Sequence, residues 1–223
     1  MTDLLHKERF FEQIDQAISQ GYSVSDGLFI DQSTPGALLA DASSYKYPAN
    51  TVTTNGFKRG RYETNALLLK LIHDGSAQTM PEQTATLASE LQRNIRDYGR
   101  TAKIKELSDW LCNGVFINYL SPDEEGDVAE IPSHVDNPLY KSLLIAVSLG
   151  NGALKLDNSD EPLETRLGSV EIFVGNNLAS SGITAPQIGH SVSATSERYS
   201  QLFTHFQYNM KKDFISVVKR ILP

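Results

Sequence analysis

The chain of 223 residues holds one cysteine, Cys112, which excludes an intramolecular disulfide and a cluster of thiolate metal ligands. It has no apolar run near the ~20 residues that a membrane-crossing helix needs. The longest, Leu143 to Leu149, is strand-sized. The opening MTDLLHKERFFEQ lacks the apolar centre of a secretory signal, so the expected setting is the cytoplasm, with no membrane partner. Basic residues are in deficit, 20 Lys and Arg against 27 Asp and Glu, for a net charge of −7 and a pI near 5.2. Non-specific nucleic-acid binding draws on Lys and Arg, so this balance weakens a DNA or RNA partner without excluding it. No internal repeat or low-complexity segment interrupts the chain. With 40% hydrophobic and 21% charged residues, the expectation is one globular domain spanning 1–223.

What is present divides into two halves. Leu4, Leu5, Phe10, Phe11, Ile14 and Ile18 recur at helical spacing and predict a helix over 4–20 that ends at Gly21. The segment 22–30 reads as a strand running into a loop, and Pro35 to Tyr45 as a second helix. Pro48 to Glu63 is polar and holds Lys58, Arg59 and Arg61; it reads as an ordered loop near a site or a solvated connection, and for Arg59 and Arg61 a solvated loop is favoured over a substrate contact. Pro81 opens a strong helix with Leu87, Leu91 and Ile95 four apart. From about residue 111 the pattern turns strand-like, with Val115–Tyr119, Leu143–Leu149, Ala153–Leu156, Gly168–Val174 and Arg198–Tyr208 as strands. Helices followed by short strands predict an α+β fold, with 1–110 mainly helical support carrying a first strand and 111–210 a jelly-roll core.

The chemistry concentrates in the second half. His134-Val-Asp136 sits in extended-looking sequence, where residues two apart face the same way and converge on one point. His190, from a different strand, can complete a facial set of two imidazoles and one carboxylate. That set suits Fe(II) and leaves positions open for an oxidant and a chelating co-substrate. Arg198 lies eight residues beyond His190, and a guanidinium is the natural partner of a distal carboxylate in a cavity. Ser200, two residues further on, shares its strand face and can add a hydrogen bond.

These residues together resemble the Fe(II)/2-oxoglutarate-dependent dioxygenase superfamily, over roughly 114 to 208. The local match is to its prolyl-hydroxylase-like branch, through Gly21–Phe29, Phe57-Lys-Arg-Gly60, His134-Val-Asp-Asn-Pro138, and His190-x-Val192 through Arg198-Tyr199. The resemblance implies a double-stranded β-helix (jelly-roll, cupin-like) core with N-terminal supporting helices. It also implies Fe(II), 2-oxoglutarate and O2 as reactants with ascorbate as a stimulant, and an oxidoreductase that hydroxylates a C–H bond and releases succinate and CO2. His134, Asp136 and His190 would be the metal ligands and catalytic residues; Arg198, Ser200 and Tyr119 would bind the co-substrate. A prolyl or other protein side chain is the substrate class it favours.

The chain departs from the pattern in places. Asn151-Gly152 stands where the family often has Gly-Gly, and Ser148 where a co-substrate tyrosine is common, although Arg198-x-Ser200 resembles the isopenicillin-synthase-like branch. Thr204 in place of a second arginine, and the adjacency of Asn118 and Tyr119, weaken an alkylated-nucleobase demethylase reading. A small-molecule hydroxylase, a cupin-type metal enzyme without 2-oxoglutarate, and a metal-binding fold without turnover stay open. The remaining candidates take the plainer reading. His6 and His73 have no carboxylate at ligand spacing, Cys112 reads as core, and Asp123, Glu124, Glu125 and Asp127 as a solvated loop. His205 is an odd number of positions from Arg198 and is expected on the opposite strand face.

Overall fold

The computed structural model describes residues 3–49, 51, 56–63, 78–112, 114–122, 128–136, 142–175, 178 and 181–204. His73, the acidic residues 123–127, His205 and the expected strand end 205–208 lie outside these. Helix α1 (Lys7–Gln20) buries Phe10, Gln13, Ile14 and Ala17, the three-and-four spacing of one helix face. It stops at Gly21, which takes the left-handed conformation (φ 89°) and donates its N–H to the Ala17 carbonyl. A β-carbon there would lie 2.3 Å from the Pro186 carbonyl oxygen, so crowding and backbone sign both require glycine. After β1 (Tyr22–Ser25) comes α2 (Thr34–Ser43), with Pro35 in its first turn, where a missing N–H costs nothing.

Helix α3 (Glu82–Ala102) has no capping side chain of its own. Asp41 of α2 supplies one, accepting hydrogen bonds from the Thr84 N–H (2.9 Å) and hydroxyl (2.8 Å). The buried Glu90 of α3 in turn accepts from the N–H groups of Leu4 and Leu5 at 2.8–3.0 Å and ties the N-terminal segment to the helix layer. Near its end, Gly99 touches the short helix α4 (Lys105–Ser108): a β-carbon would meet the Ser108 backbone nitrogen at 2.3 Å. Gly99→Ala removes a helix-weakening glycine worth about 1 kcal/mol. Overlap with rigid backbone outweighs that gain, so the variant is expected to be net destabilised by roughly 1–2 kcal/mol in chemical denaturation.

Eleven strands follow from these and later segments among the described residues: β2 (Phe57–Glu63), β3 (Gln78–Thr79), β4 (Gly114–Leu120), β5 (Ala129–His134), β6 (Leu143–Leu149), β7 (Gly152–Leu156), β8 (Leu163–Thr165), β9 (Val170–Val174), β10 (His190–Ala194) and β11 (Arg198–Thr204), after β1. They form a seven-stranded sheet in the order β1-β9-β6-β11-β4-β2-β3 and a four-stranded sheet in the order β5-β10-β7-β8. All pairings are antiparallel except β2 with β3.

Each face of the larger sheet has its own cluster. Outward, Val115, Ile117, Ile145, Val147, Ile172 and Phe203 pack with Phe10, Ile14, Leu38, Leu87 and Leu91 of the helices. Inward, Leu144 and Phe173 meet Leu154 and Leu156 of the smaller sheet. Strand β6 is therefore buried along its whole length, the continuous apolar run legible in the sequence. The helix layer backs the larger sheet, and the space between the sheets holds the site. Among the described residues no helix is long and apolar enough to cross a membrane.

One expectation is overturned here. Part of the polar segment 48–63 is strand β2, paired along six positions with β4, rather than a solvated loop. Its arginines face inward, and the Arg59 guanidinium rests on aromatic rings, its carbon 5.3 Å from the Phe57 ring centre and 5.6 Å from that of Phe116. Gly60 leaves room for the Tyr45 ring, which a β-carbon would meet at 2.2 Å.

Candidate metal centre

Strand β5 ends at His134 and β10 begins at His190, and the two are direct cross-strand partners. Cross-strand partners project to the same face, and the register shift between His190 and Val192 adjusts the angle of the first residue. Their ring centres lie 4.6 Å apart. His134 directs Nδ1 at the Pro132 carbonyl (2.8 Å) and His190 directs Nδ1 at the Ile188 carbonyl (3.3 Å). A carbonyl oxygen only accepts, so each Nδ1 carries the proton and each Nε2 keeps its lone pair for a ligand bond. Phe173 stacks on His190 at 4.3 Å and fixes the plane of that buried ring.

Asp136 follows two residues after His134, with its Oδ1 4.0 Å from His134 Nε2. One ligand atom from each of His134, Asp136 and His190 lies within 4.8 Å of the others. Bonds of about 2.0–2.2 Å to a shared ion would place ligand atoms some 3 Å apart, so modest side-chain adjustment would bring the three within reach of one ion. Two neutral imidazoles and one carboxylate match the donor set for a reactive Fe(II) with open positions, and these three residues could hold it.

The triad opens onto a cavity of about 50 Å³ lined also by Glu171, Phe173, Ser200, Asn118 and Arg59 from the larger sheet. A larger space of about 520 Å³, beside Asp26, Gly152, Arg166 and Ser193, includes none of the three candidate ligands. Donor chemistry, more than size, marks the small cavity as the candidate site.

Arg198 begins β11 with its side chain fully buried between the sheets. Its Nη2 donates to the Ser148 hydroxyl and, at 3.0 Å, to the Glu171 carboxylate; Ser148 also donates to Glu171. Arg198 Nε and Nη1 are buried with no hydrogen-bond partner among the described residues. Gly152 makes the placement feasible, because a β-carbon there would lie 2.6 Å from Nη1. Ser200 shares the inward face and lines the cavity, as its spacing from Arg198 predicts.

Tyr119 is not brought to this cavity. It pairs with Tyr199 across β4 and β11 and stacks on it at 4.6 Å, with its hydroxyl donating to Glu197. Alternation along β4 turns Asn118 and Leu120 toward the cavity and Tyr119 away from it. Burial, with the Glu197 carboxylate adding to it, pushes the Tyr119 phenol above its usual range and keeps it a donor.

Two cavity residues escape the sequence reading, and a third, Arg59, is ranked there as a substrate contact below a solvated loop. Arg59 donates its Nε–H to Asn118 at 2.9 Å and reaches the cavity from β2; its signal was the inward alternation Phe57, Arg59, Arg61, masked by polar character. Asn118 is one position from the tyrosine the resemblance favoured. Glu171 is a lone charge inside Val-Glu-Ile-Phe-Val, and an acidic residue in so apolar a strand is the signal that could have found it.

Comparison with known proteins agrees with this geometry at the level of fold. No family model matches the chain, and no curated protein matches it in sequence. Solved structures do. A prolyl hydroxylase from Trichoplax adhaerens, in complex with a hypoxia inducible factor oxygen degradation domain peptide fragment, is 14% identical and superposes with a TM-score of 0.57 over 94% of each chain. A Pseudomonas putida prolyl-4-hydroxylase is 17% identical, covering 89% of this chain and 98% of its own, also at 0.57. An oxidoreductase of the 2OG-Fe(II) oxygenase family from Burkholderia pseudomallei is 15% identical over 94% of each chain, at 0.56. The chain therefore has the double-stranded β-helix fold that these oxygenases share.

Proposed function

We propose that the chain is an Fe(II)- and 2-oxoglutarate-dependent dioxygenase acting in the cytoplasm, with a prolyl or other protein side chain as its substrate class. The observation that carries this reading is the meeting of His134, Asp136 and His190 ligand atoms at one point on the inner face of the smaller sheet. Fe(II) and 2-oxoglutarate, when bound, supply the activation of O2 that places a hydroxyl on a C–H bond, with succinate and CO2 released.

The chain's own residues have separable tasks. His134 and His190 offer Nε2 to the metal while their Nδ1–H bonds to backbone carbonyls hold the rings in place. Asp136 brings the negative charge that offsets part of the ion's own. Arg198 offers a buried cation for the far carboxylate of the co-substrate, and two of its nitrogens still lack partners. Ser200 stands on the same strand face as a further donor. Phe173, Leu202 and Val192 keep bulk water from the inner side. Arg59, at the cavity with its head beyond Asn118, is suited to contact an incoming substrate. The peptide carried by the Trichoplax enzyme supports a protein substrate.

The test is 2-oxoglutarate turnover with Fe(II), ascorbate and a peptide panel, read as succinate formed. Wild type is expected to convert 2-oxoglutarate in an iron-dependent way, and His134→Ala to lose on the order of a hundredfold or more, the usual consequence of deleting one member of a unit. Iron-dependent succinate production undiminished in His134→Ala would remove the ligand assignment.

A further inference from the structure

Resting on that reading of the site, we propose that Glu171 is a built-in counter-anion that occupies Arg198 and must yield to the distal carboxylate of the 2-oxo acid. Glu171 thereby sets how strongly the chain favours a dicarboxylic 2-oxo acid over a monocarboxylic one.

The geometry of a guanidinium carries the first step. It presents two bidentate edges, one formed by Nη1 with Nη2 and the other by Nε with Nη2, so both use Nη2. In this chain Nη2 is the atom already engaged, by Ser148 and by Glu171 at 3.0 Å. Nη2 carries one N–H on each edge, so the edge that Glu171 and Ser148 take is closed to a two-point carboxylate until one of those contacts opens. Ser148 reinforces the block, because its hydroxyl donates to the same Glu171 oxygen and holds the carboxylate against the guanidinium.

Space and charge point the same way. Glu171 lines the triad cavity and also contacts Arg198, which is absent from the described lining. The cavity measures about 50 Å³, below the roughly 300 Å³ at which ligand pockets begin. Something on its wall has to move before a five-carbon acid fits, and Glu171 is a wall residue that touches the anchor. Glu171 also neutralises Arg198, and a second carboxylate beside it meets like charge in a water-poor interior.

The orphaned donors supply the third step. Arg198 Nε and Nη1 are buried without partners, while Nη2 has two acceptors. A buried ion pair that served packing alone would be expected to satisfy its remaining donors, since each orphan is costly. This one is half satisfied, the condition of a guanidinium awaiting a further acceptor. Phe173, two residues from Glu171 on the same strand, stacks on His190, so a shift of this strand face to admit the acid also reaches a metal ligand.

The experiment is calorimetric titration of Mn(II)-loaded protein with 2-oxoglutarate and, separately, with pyruvate, under conditions where no turnover occurs. In wild type the two acids are expected to bind within about threefold of each other, because the distal carboxylate gains little at an occupied anchor. Glu171→Gln keeps the volume and removes the charge. It is expected to tighten 2-oxoglutarate on the order of tenfold or more, the scale of hydrogen bonds to charged groups, and to leave pyruvate within about threefold. Glu171→Ala serves as the second variant should the glutamine fold poorly, and Arg198→Met placed on Glu171→Gln should erase the gain. Equal or weaker 2-oxoglutarate binding in both Glu171 variants, with wild type already preferring it tenfold, overturns the role of Glu171 and leaves the dioxygenase reading standing. Failure of wild type and all variants to hold Mn(II), or of the metal-loaded proteins to bind either acid, overturns both.

Discussion

Saturating the protein with Mn(II) is expected to raise its unfolding free energy by about 2.7 kcal/mol at a hundredfold excess over the dissociation constant, because a ligand that binds only the native state stabilises it by mass action. For a domain of this size each kcal/mol moves the melting temperature by roughly 2–4 °C, so a shift of about 5–10 °C should appear in a thermal scan. The triad explains why the gain is native-specific. His134 and His190 come together only when β5 pairs with β10, and Asp136 joins them only at the end of β5. His190 is buried and stacked on Phe173, so its replacement perturbs packing as well as ligation. Asp136→Ala is the cleaner probe, since the residue lies beyond the strand and its side chain is 20% accessible. It should leave the metal-free melting temperature nearly unchanged and abolish most of the Mn(II) shift. A shift of full size in Asp136→Ala would mean that the ion binds elsewhere.

The residues of the triad were legible because their spacing says something physical. His134 and Asp136 two apart in extended chain must share a face, and Arg198 and Ser200 share one for the same reason. The continuous run of β6 and the four-residue periodicity of α3 were equally plain, since burial on both faces and burial on one stripe leave different patterns. What sequence did not disclose was mostly a matter of faces and partners. Tyr119 and Asn118 are neighbours, and a one-residue difference in a strand turns a side chain from the cavity to the outer layer. Strand β2 reads as a loop because its composition is polar, and composition does not reveal that the Arg59 guanidinium rests on aromatic rings. Strand β5 carries Glu130, Pro132 and Ser133 and alternates weakly, so its extended form depends on pairing with β10. Glu171 was passed over since its reason for being buried, Arg198, lies on another strand.

Replacing Arg198 by Met is expected to be the most damaging single change in the barrel, at about 3–5 kcal/mol, because it strands the Glu171 carboxylate in a site with almost no solvent access. At roughly 2–4 °C per kcal/mol this corresponds to a fall of about 6–20 °C in melting temperature. The double variant Arg198→Met with Glu171→Leu should recover most of that loss and be about as stable as wild type or more so, since well-packed apolar groups commonly replace a buried ion pair at no net cost. The comparison separates two reasons for keeping charges between the sheets. If the pair served folding, the double variant would remain as unstable as the single one. Recovery would mean that the ion pair contributes little to stability and is retained for what it can release to a ligand. Metal binding provides the internal control. The triad is built on β5 and β10, in the other sheet from the strands that hold the pair, so the Mn(II)-induced shift should persist in the double variant, with 2-oxoglutarate and pyruvate bound alike. A double variant that showed a preference of about tenfold or more for the dicarboxylic acid would place the carboxylate anchor on another cation, and Arg59 at the same cavity would be the residue to change next.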